Sequence, residues 1–209
     1  MTTSCKAAFC LAFTFLCAGA IQSQVFPPPF PRDGATKLFE NDRVIVWDVA
    51  WLKQAYPVHR HVYDYAGVYY TNGDRVVVSD QGRRSPTTSV AWDTFFFRRG
   101  VTHSEEGAGE APLRAVFLEF KEDQPLGKLE ATTTASPFPG AAGKQIRDSE
   151  RVMIWEFVPG APLAHYHTRD AVIVAFANLK PHVTFVPRGT MHSDDQTTGA
   201  DRSFVFELK

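Results

Sequence analysis

His59-Arg60-His61-Val62-Tyr63-Asp64 and His165-Tyr166-His167-Thr168-Arg169-Asp170 are two copies of one pattern, HxHxxD, in a single chain of 209 residues. Matched blocks surround both copies. Upstream stand Arg43-Val44-Ile45-Val46-Trp47-Asp48 and Arg151-Val152-Met153-Ile154-Trp155-Glu156. Downstream, Arg99-Gly100-Val101-Thr102-His103-Ser104-Glu105-Glu106 answers Arg188-Gly189-Thr190-Met191-His192-Ser193-Asp194-Asp195. Each copy closes on a strand-like run, Arg114 to Lys121 and Arg202 to Lys209. Four blocks repeated in the same order mark an internal duplication.

Within each copy, runs such as Arg75-Val76-Val77-Val78 and Val183-Thr184-Phe185-Val186 are β-branched or aromatic and bounded by Gly, Pro, Asn or Asp, the signature of short strands. After the first twenty residues, no stretch keeps a helical period for three turns. The expected architecture is all-β, two small barrels or sandwiches in tandem. Residues 38–123 form the first unit and 144–209 the second. Between them, 124–143 is rich in Pro, Gly, Thr and Ala and is expected to be a linker. Residues 21–37 form a proline-rich arm around Val25-Phe26-Pro27-Pro28-Pro29-Phe30-Pro31, expected to be extended.

Six of the seven histidines fall in the repeated blocks: His59, His61, His103, His165, His167 and His192. Only His182 lies outside. In a strand, residues i and i+2 point to one side, so each HxH aims two imidazoles into the same space. A third from a distant strand completes a face of three nitrogens. Such a face holds zinc, copper, iron or nickel and leaves positions free for water or substrate. An isolated HxH is more often a pair of surface or hydrogen-bonded histidines, but duplication with a matching third His argues for a metal.

On these residues the chain resembles the cupin superfamily, specifically a two-domain cupin with a conical β-barrel of jelly-roll type in each half. The family's second motif, PxGxxH, is met in full by Pro187-Arg188-Gly189-Thr190-Met191-His192; the first copy has Arg98 at the proline position and keeps Gly100 and His103. The resemblance implies one triad of His59, His61 and His103 and another of His165, His167 and His192. It fixes the fold better than the reaction, since cupins include dioxygenases, decarboxylases, isomerases, sugar binders and storage proteins.

Neither copy carries the glutamate of the family's first motif: Tyr65 and Ala171 stand four residues past the second His. Asp64 and Asp170 are candidate ligands one residue early, at odd spacing from the pair, so a regular strand turns them away unless a bulge returns them. Glu105 and Asp194, two residues past the third His, share its face. The preferred fourth ligand is none or water, then the Asp pair, then Glu105 and Asp194. As positioned acids or bases near the first triad, the candidate catalytic residues are Glu105, Tyr63 and Tyr65.

Between Asp64 and His103 lie 38 residues, against 21 between Asp170 and His192. The first copy therefore carries extra chain, including Arg83, Arg84, Trp92 and Phe95-Phe96-Phe97. These can shape a pocket mouth for an anionic or aromatic compound, or simply pack as core phenylalanines beside solvated arginines. The first copy is the better candidate for substrate.

Composition narrows the function classes. With 22 Lys plus Arg against 23 Asp plus Glu, the net charge is -1 and there is no basic field for nucleic acid. No GxSxG or GxxxxGK[ST] occurs. Residues 1–20 read as a signal peptide: Lys6, an apolar run from Ala7 to Cys17, then Ala18-Gly19-Ala20. All three cysteines lie in it, so the mature chain has no thiol and no disulfide. The protein is expected to be secreted or periplasmic, with no membrane association after cleavage. Its expected partners are a small-molecule substrate or ligand and a divalent transition metal (Fe, Mn, Zn, Cu or Ni), with a homo-oligomer left open. The first functional reading is a dioxygenase-type enzyme acting on a small organic substrate. The alternatives are a non-catalytic bicupin binding a sugar or organic acid, and a cupin isomerase or decarboxylase.

Overall fold

The computed structural model describes residues 25–122, 128, 137–139, 143–157, 164–193 and 199–209. Residues 1–20, expected to be a signal peptide, and most of the expected linker lie outside the described residues. All regular structure among those described is strand. The first half contributes β1 (Ala35–Glu40), β2 (Val44–Trp51), β3 (His59–Arg60), β4 (Asp64–Tyr69), β5 (Gly73–Ser79), β6 (Arg84–Ser89), β7 (Thr94–Phe97), β8 (Thr102–Gly107) and β9 (Leu113–Phe120). The second contributes β10 (Gly143–Asp148), β11 (Val152–Phe157), β12 (His165–Tyr166), β13 (Ala171–Ala177), β14 (Lys180–Val186), β15 (Met191–His192) and β16 (Arg202–Leu208).

Each half has one five-stranded antiparallel sheet, ordered β1-β2-β9-β4-β7 in the first and β10-β11-β16-β13-β14 in the second. The match is strand for strand. It extends to a register irregularity between Lys37 and Phe39 in β1 and between Gln145 and Arg147 in β10. The smaller sheets differ. In the first half β3-β8-β5-β6 makes four strands, whereas the second has only β12-β15. The extra chain in the first copy is thus the hairpin β5–β6, which widens the wall opposite the large sheet.

The apolar strands follow from burial on both faces. In β2, Val44 and Val46 point one way and Ile45, Trp47, Val49 and Trp51 the other, and all are buried. A strand with one wet face would alternate; a continuous apolar run signals two dry ones. The second set lines the first barrel's interior with Tyr65, Tyr69, Leu113 and Phe117. The first set meets Val152, Ile154, Val174, Phe176, Phe204 and Phe206 of the other half in one shared core. The two large sheets therefore pack back to back, and the barrels are joined by close-packed apolar surface.

Across this junction Tyr70 packs on Phe176 with centroids 5.1 Å apart, and Phe39 stacks on Phe185 at 5.7 Å. Trp92 holds a positive φ of 76° and packs on Phe176 at 5.3 Å. Such backbone strain in a bulky residue persists where packing dictates it.

Charges clamp the same junction. Arg151, just before β11, lies 3.7 Å from Asp64 of the first half, and Arg43, just before β2, pairs with Asp170 of the second. The pairs are reciprocal under the repeat. Asp64 also accepts from the Arg99 backbone N–H at 2.8 Å, and Asp170 from that of Arg188 at 2.7 Å. The odd spacing that turned these carboxylates from the histidines has placed them between the barrels.

Two further expectations need correction. The proline-rich arm does not merely lead into the fold: Phe30 is buried in the first barrel, 5.1 Å from Trp47 and 5.7 Å from Phe117. Likewise Phe138, in the expected linker, is buried in the second barrel against Trp155 and Phe157. Pro29-Phe30-Pro31 and Pro137-Phe138-Pro139 are a fifth repeated block, at the same distance before the strands of their copies.

Candidate metal centres

The first triad is assembled by strand pairing. His59 on β3 and His103 on β8 are directly opposed across the ladder, and His61 follows just past β3. The chain after His61 is pinned by its N–H donating to Val101 O at 3.0 Å and by Gly100 N–H donating to His61 O at 2.8 Å. Gly100 has φ of 92° and Gly189, its counterpart, 77°; glycine takes that conformation at no steric cost, which explains the Arg-Gly of both copies. One nitrogen from each of the three rings lies within 4.8 Å of the others.

His59 Nδ1 lies 3.0 Å from the Pro57 carbonyl oxygen. A carbonyl can only accept, so the proton sits on Nδ1 and the Nε2 lone pair is left for a ligand. His61 Nδ1 and His103 Nε2 have no hydrogen-bond partner among the described residues. Burial, followed by the neighbouring His103 and His59 rings, drives the His61 pKa down to about 2. Burial likewise lowers His103 to about 4 despite the opposing charge of Glu105, and lowers His59 against the opposing Pro57 carbonyl. These are neutral imidazoles with free lone pairs, the protonation state a metal requires.

The second triad repeats the plan. His165 on β12 opposes His192 on β15, and the three ring nitrogens again lie within 4.8 Å of one another. Burial is the main cause that takes His192 to about 4, with His165 and His167 adding to it. Here a carboxylate orients one ring: His167 Nδ1 is 3.1 Å from Glu207 Oε1, while Trp155 Nε1–H donates to Glu207 Oε2 at 3.1 Å. His167 Nε2 has no partner among the described residues. In the first barrel the corresponding Glu119 accepts from Trp47 Nε1–H at 2.8 Å, and its pKa is pushed up to about 7 by burial. His182 is exposed on β14, away from both triads.

The surroundings of the triads differ more than the triads do. The first opens on a cavity of about 150 Å³ lined by Phe30, Arg32, Tyr65, Arg75, Phe95, Phe97 and Glu105, among others. Tyr65 stacks on His61 with centroids 4.0 Å apart, and burial, then Glu105, raises its pKa, so it remains a phenol. In the second barrel Ala171 replaces Tyr65, and Phe138 packs on the histidines instead, 4.5 Å from His167 and 5.5 Å from His165.

Of the carboxylates considered as fourth ligands, Asp64 and Asp170 are outside both triads: no bulge returns them, and each is engaged by an arginine of the other half. Asp194 lies outside the described residues. Glu105 does share the His103 face and lines the cavity, 3.4 Å from Arg75 Nε and 3.6 Å from Arg32 Nη2. Its burial would raise its pKa, but Arg75 and then Arg32 hold it below the ordinary carboxylate value. It is a fixed anion rather than a poised acid. Tyr63 is half-buried and packs against the inner apolar cluster without lining the cavity.

The insert contributes to the cavity by different residues from those singled out. Arg84 pairs with Glu106 at the surface, Arg83 is exposed, and Trp92 and Phe96 pack at the junction of the barrels. Phe95 and Phe97 do line the cavity, and so does Arg75 of β5. Arg32 and Arg75 were missed because neither has a counterpart in a repeated block. Glu119 and Glu207 did leave a signal, one carboxylate recurring at the same place in two otherwise apolar closing strands.

Solved structures offer an independent comparison. AerE from Microcystis aeruginosa is similar over 88% of this chain and 98% of its own, with TM-score 0.54 and 13% identity. The fold is that of a two-barrel cupin. Also similar are a Cupin 2 conserved barrel domain protein from Leptotrichia buccalis (13% identity, 84% of this chain and 88% of that one, TM-score 0.48) and a cupin domain from Bordetella pertussis Tohama I (24% identity, 44% and 99%, TM-score 0.40). No family model and no curated protein matches the sequence. Both triads of this bicupin fit a divalent metal: in each, one nitrogen from each of three imidazoles converges, and His61 Nδ1, His103 Nε2 and His167 Nε2 are buried without a hydrogen-bond partner among the described residues.

Proposed function

We propose that this bicupin is an exported metal-dependent enzyme whose working site is the first barrel, with dioxygenase-type oxidation of a small organic molecule as its reaction. The observation that carries the reading is the meeting of a buried three-histidine face with a lined cavity. A metal held there by His59, His61 and His103 would bring Lewis acidity and open coordination positions where oxygen and substrate could meet. The chain's own residues do the rest. Phe95, Phe97, Phe117, Val77 and Val101 give part of the cavity an apolar wall, which suits an apolar gas. The Tyr65 phenol, stacked on His61, can donate a hydrogen bond to a substrate oxygen that gains negative charge.

The fixed anion state of Glu105 favours this reading over an isomerase or decarboxylase that uses Glu105 as its proton carrier, since an acid–base catalyst is best placed near the operating pH. Export is proposed on Lys6, the apolar run and Ala18-Gly19-Ala20. The second reading, a bicupin that binds a small molecule without turning it over, draws support from the absence of the family's glutamate in both copies.

Elemental analysis of untagged protein, followed by an oxygen-uptake screen over small organic substrates, tests the proposal. Metal in the first site with substrate-dependent uptake is the expected result. Bound metal with no uptake for any substrate class would leave the binding reading. No metal after purification or titration would end the metalloenzyme reading.

A further inference from the structure

Two arginines enter the first cavity from opposite sources, Arg32 from the arm and Arg75 from the inserted strand β5. Only 8% of the Arg32 side chain and 11% of that of Arg75 is exposed. Glu105 is near both, but at 3.6 and 3.4 Å its oxygens pair with them without a good hydrogen bond. Nη1 and Nη2 of Arg32 and Nε and Nη1 of Arg75 find no acceptor among the described residues.

Aromatic faces hold the guanidiniums in place: Arg32 lies 3.8 Å from the Tyr56 ring centroid and Arg75 4.8 Å from that of Trp51. Cation–π attraction offsets part of the burial cost but gives the N–H groups no acceptor. Two buried cations against one carboxylate leave a positive charge and several aimed donors in an otherwise apolar space. Natural interiors rarely leave such groups unanswered.

We infer that Arg32 and Arg75 form the recognition site for an anionic group of the substrate, and that the substrate is a small organic carboxylate. Guanidinium forks match carboxylate geometry and give short, charge-assisted bonds. Size follows from volume: a cavity near 150 Å³ takes a molecule of about benzene size. The site belongs to one barrel only, because Gly140 occupies the place of Arg32 in the second copy and β5 has no counterpart among its described strands. The inference rests on the first barrel being the working site, and it assigns Glu105 the role of a counter-charge that a substrate carboxylate must compete with.

The test is a calorimetric titration of the full chain, stripped of metal and dialysed free of chelator, with acetate, pyruvate and benzoate, and with acetamide and benzamide as neutral controls. At least one acid should bind at least about tenfold more tightly than the amides, and Arg75→Met should weaken it at least about tenfold. Glu105→Gln should tighten it, a gain that a misfolded variant cannot produce. Acids and amides binding alike, none binding at millimolar concentration, or a Glu105→Gln variant that binds the acids less well would each overturn the inference. Metal content, read separately by elemental analysis, keeps the two claims apart. Acid preference without metal uptake would sink the metalloenzyme reading alone, and metal uptake without acid preference would sink this inference alone.

Discussion

The two barrels place the same three histidines on the same strand pairs, yet they support the rings in opposite ways. In the second, Glu207 orients His167 and Phe138 packs on the histidines. In the first, Tyr65 stacks on His61, no carboxylate among the described residues holds its Nδ1, and the space beside the triad is a cavity with two arginines. A carboxylate behind a ligating histidine fixes its tautomer and raises its basicity, which favours tight metal binding. An open cavity that carries charge favours a guest. The duplication has thus kept the ligands and divided the surroundings, with a braced site in one half and an accessible one in the other.

The largest effect should come from removing one ligand in each barrel. His61→Ala should lower turnover by at least about a thousandfold, since the first triad loses a donor at its most buried ring. His167→Ala should leave turnover within a fewfold of the wild type. Each variant should bind one metal ion fewer by elemental analysis. Equal losses of turnover in both would erase the division of labour.

The aspartates come next. Replacing Asp64 by Ala leaves Arg151 buried without its carboxylate and the Arg99 N–H without its acceptor. Breaking a buried pair of this kind costs about 3–5 kcal/mol. Denaturant unfolding should show that loss, while added metal should still stabilise the variant. A variant that keeps its stability but loses metal uptake would make Asp64 a ligand after all.

Much of this was legible in the sequence, for a physical reason. Strand periodicity converts i, i+2 spacing into a shared face, so HxH and its matching third His identified both triads, and the odd spacing of Asp64 already pointed it elsewhere. Repetition made each weak signal count twice. What escaped reading lacked one of these supports. Arg32 sits in an arm with no strand period, and its direction depends on Phe30 finding a slot against Trp47. Arg75 is on a strand, but which face of β5 turns inward is set by its pairing with β8, a partner that is distant in sequence. The reciprocal bridges of Asp64 and Asp170 required knowing that the large sheets pack back to back.

A smaller effect should separate the two carboxylates behind the triads. Glu207→Gln keeps the shape but removes the charge that orients His167, and should weaken metal at the second site by about 10–100-fold. Glu119→Gln should change metal affinity at the first site by less than about threefold, because its carboxyl bonds Trp47 and His61 Nδ1 has no hydrogen-bond partner among the described residues. Metal titrations monitored at each site, with the other triad disabled by an alanine, give the comparison directly. Equal weakening in both barrels would show that Glu119 also braces its triad.

The gentlest probe is pH, applied to metal-free protein so that only the chain titrates. The folded-state pKa values of His61, His103 and His192 are depressed, so the stability their neutral forms contribute is complete above about 6.5 and is lost as pH falls toward the folded values of about 2, 4 and 4. Glu119 has the opposite sign: its raised pKa means that its protonated form contributes stability below about 4.5, which is lost as pH rises toward about 7. Between about pH 4.5 and 6.5 the histidines outnumber the glutamate, so unfolding free energy should increase with pH. His61, the most deeply buried of these rings, sets the scale at up to about 1.4 kcal/mol per pH unit. Glu119→Gln removes the opposing contribution and should steepen the rise by no more than about one further proton. His61→Ala should flatten it. Stability measured by denaturant at several pH values would decide the matter, and a profile that is level across this window, or that falls with pH, would mean that the first triad is not held neutral by its burial.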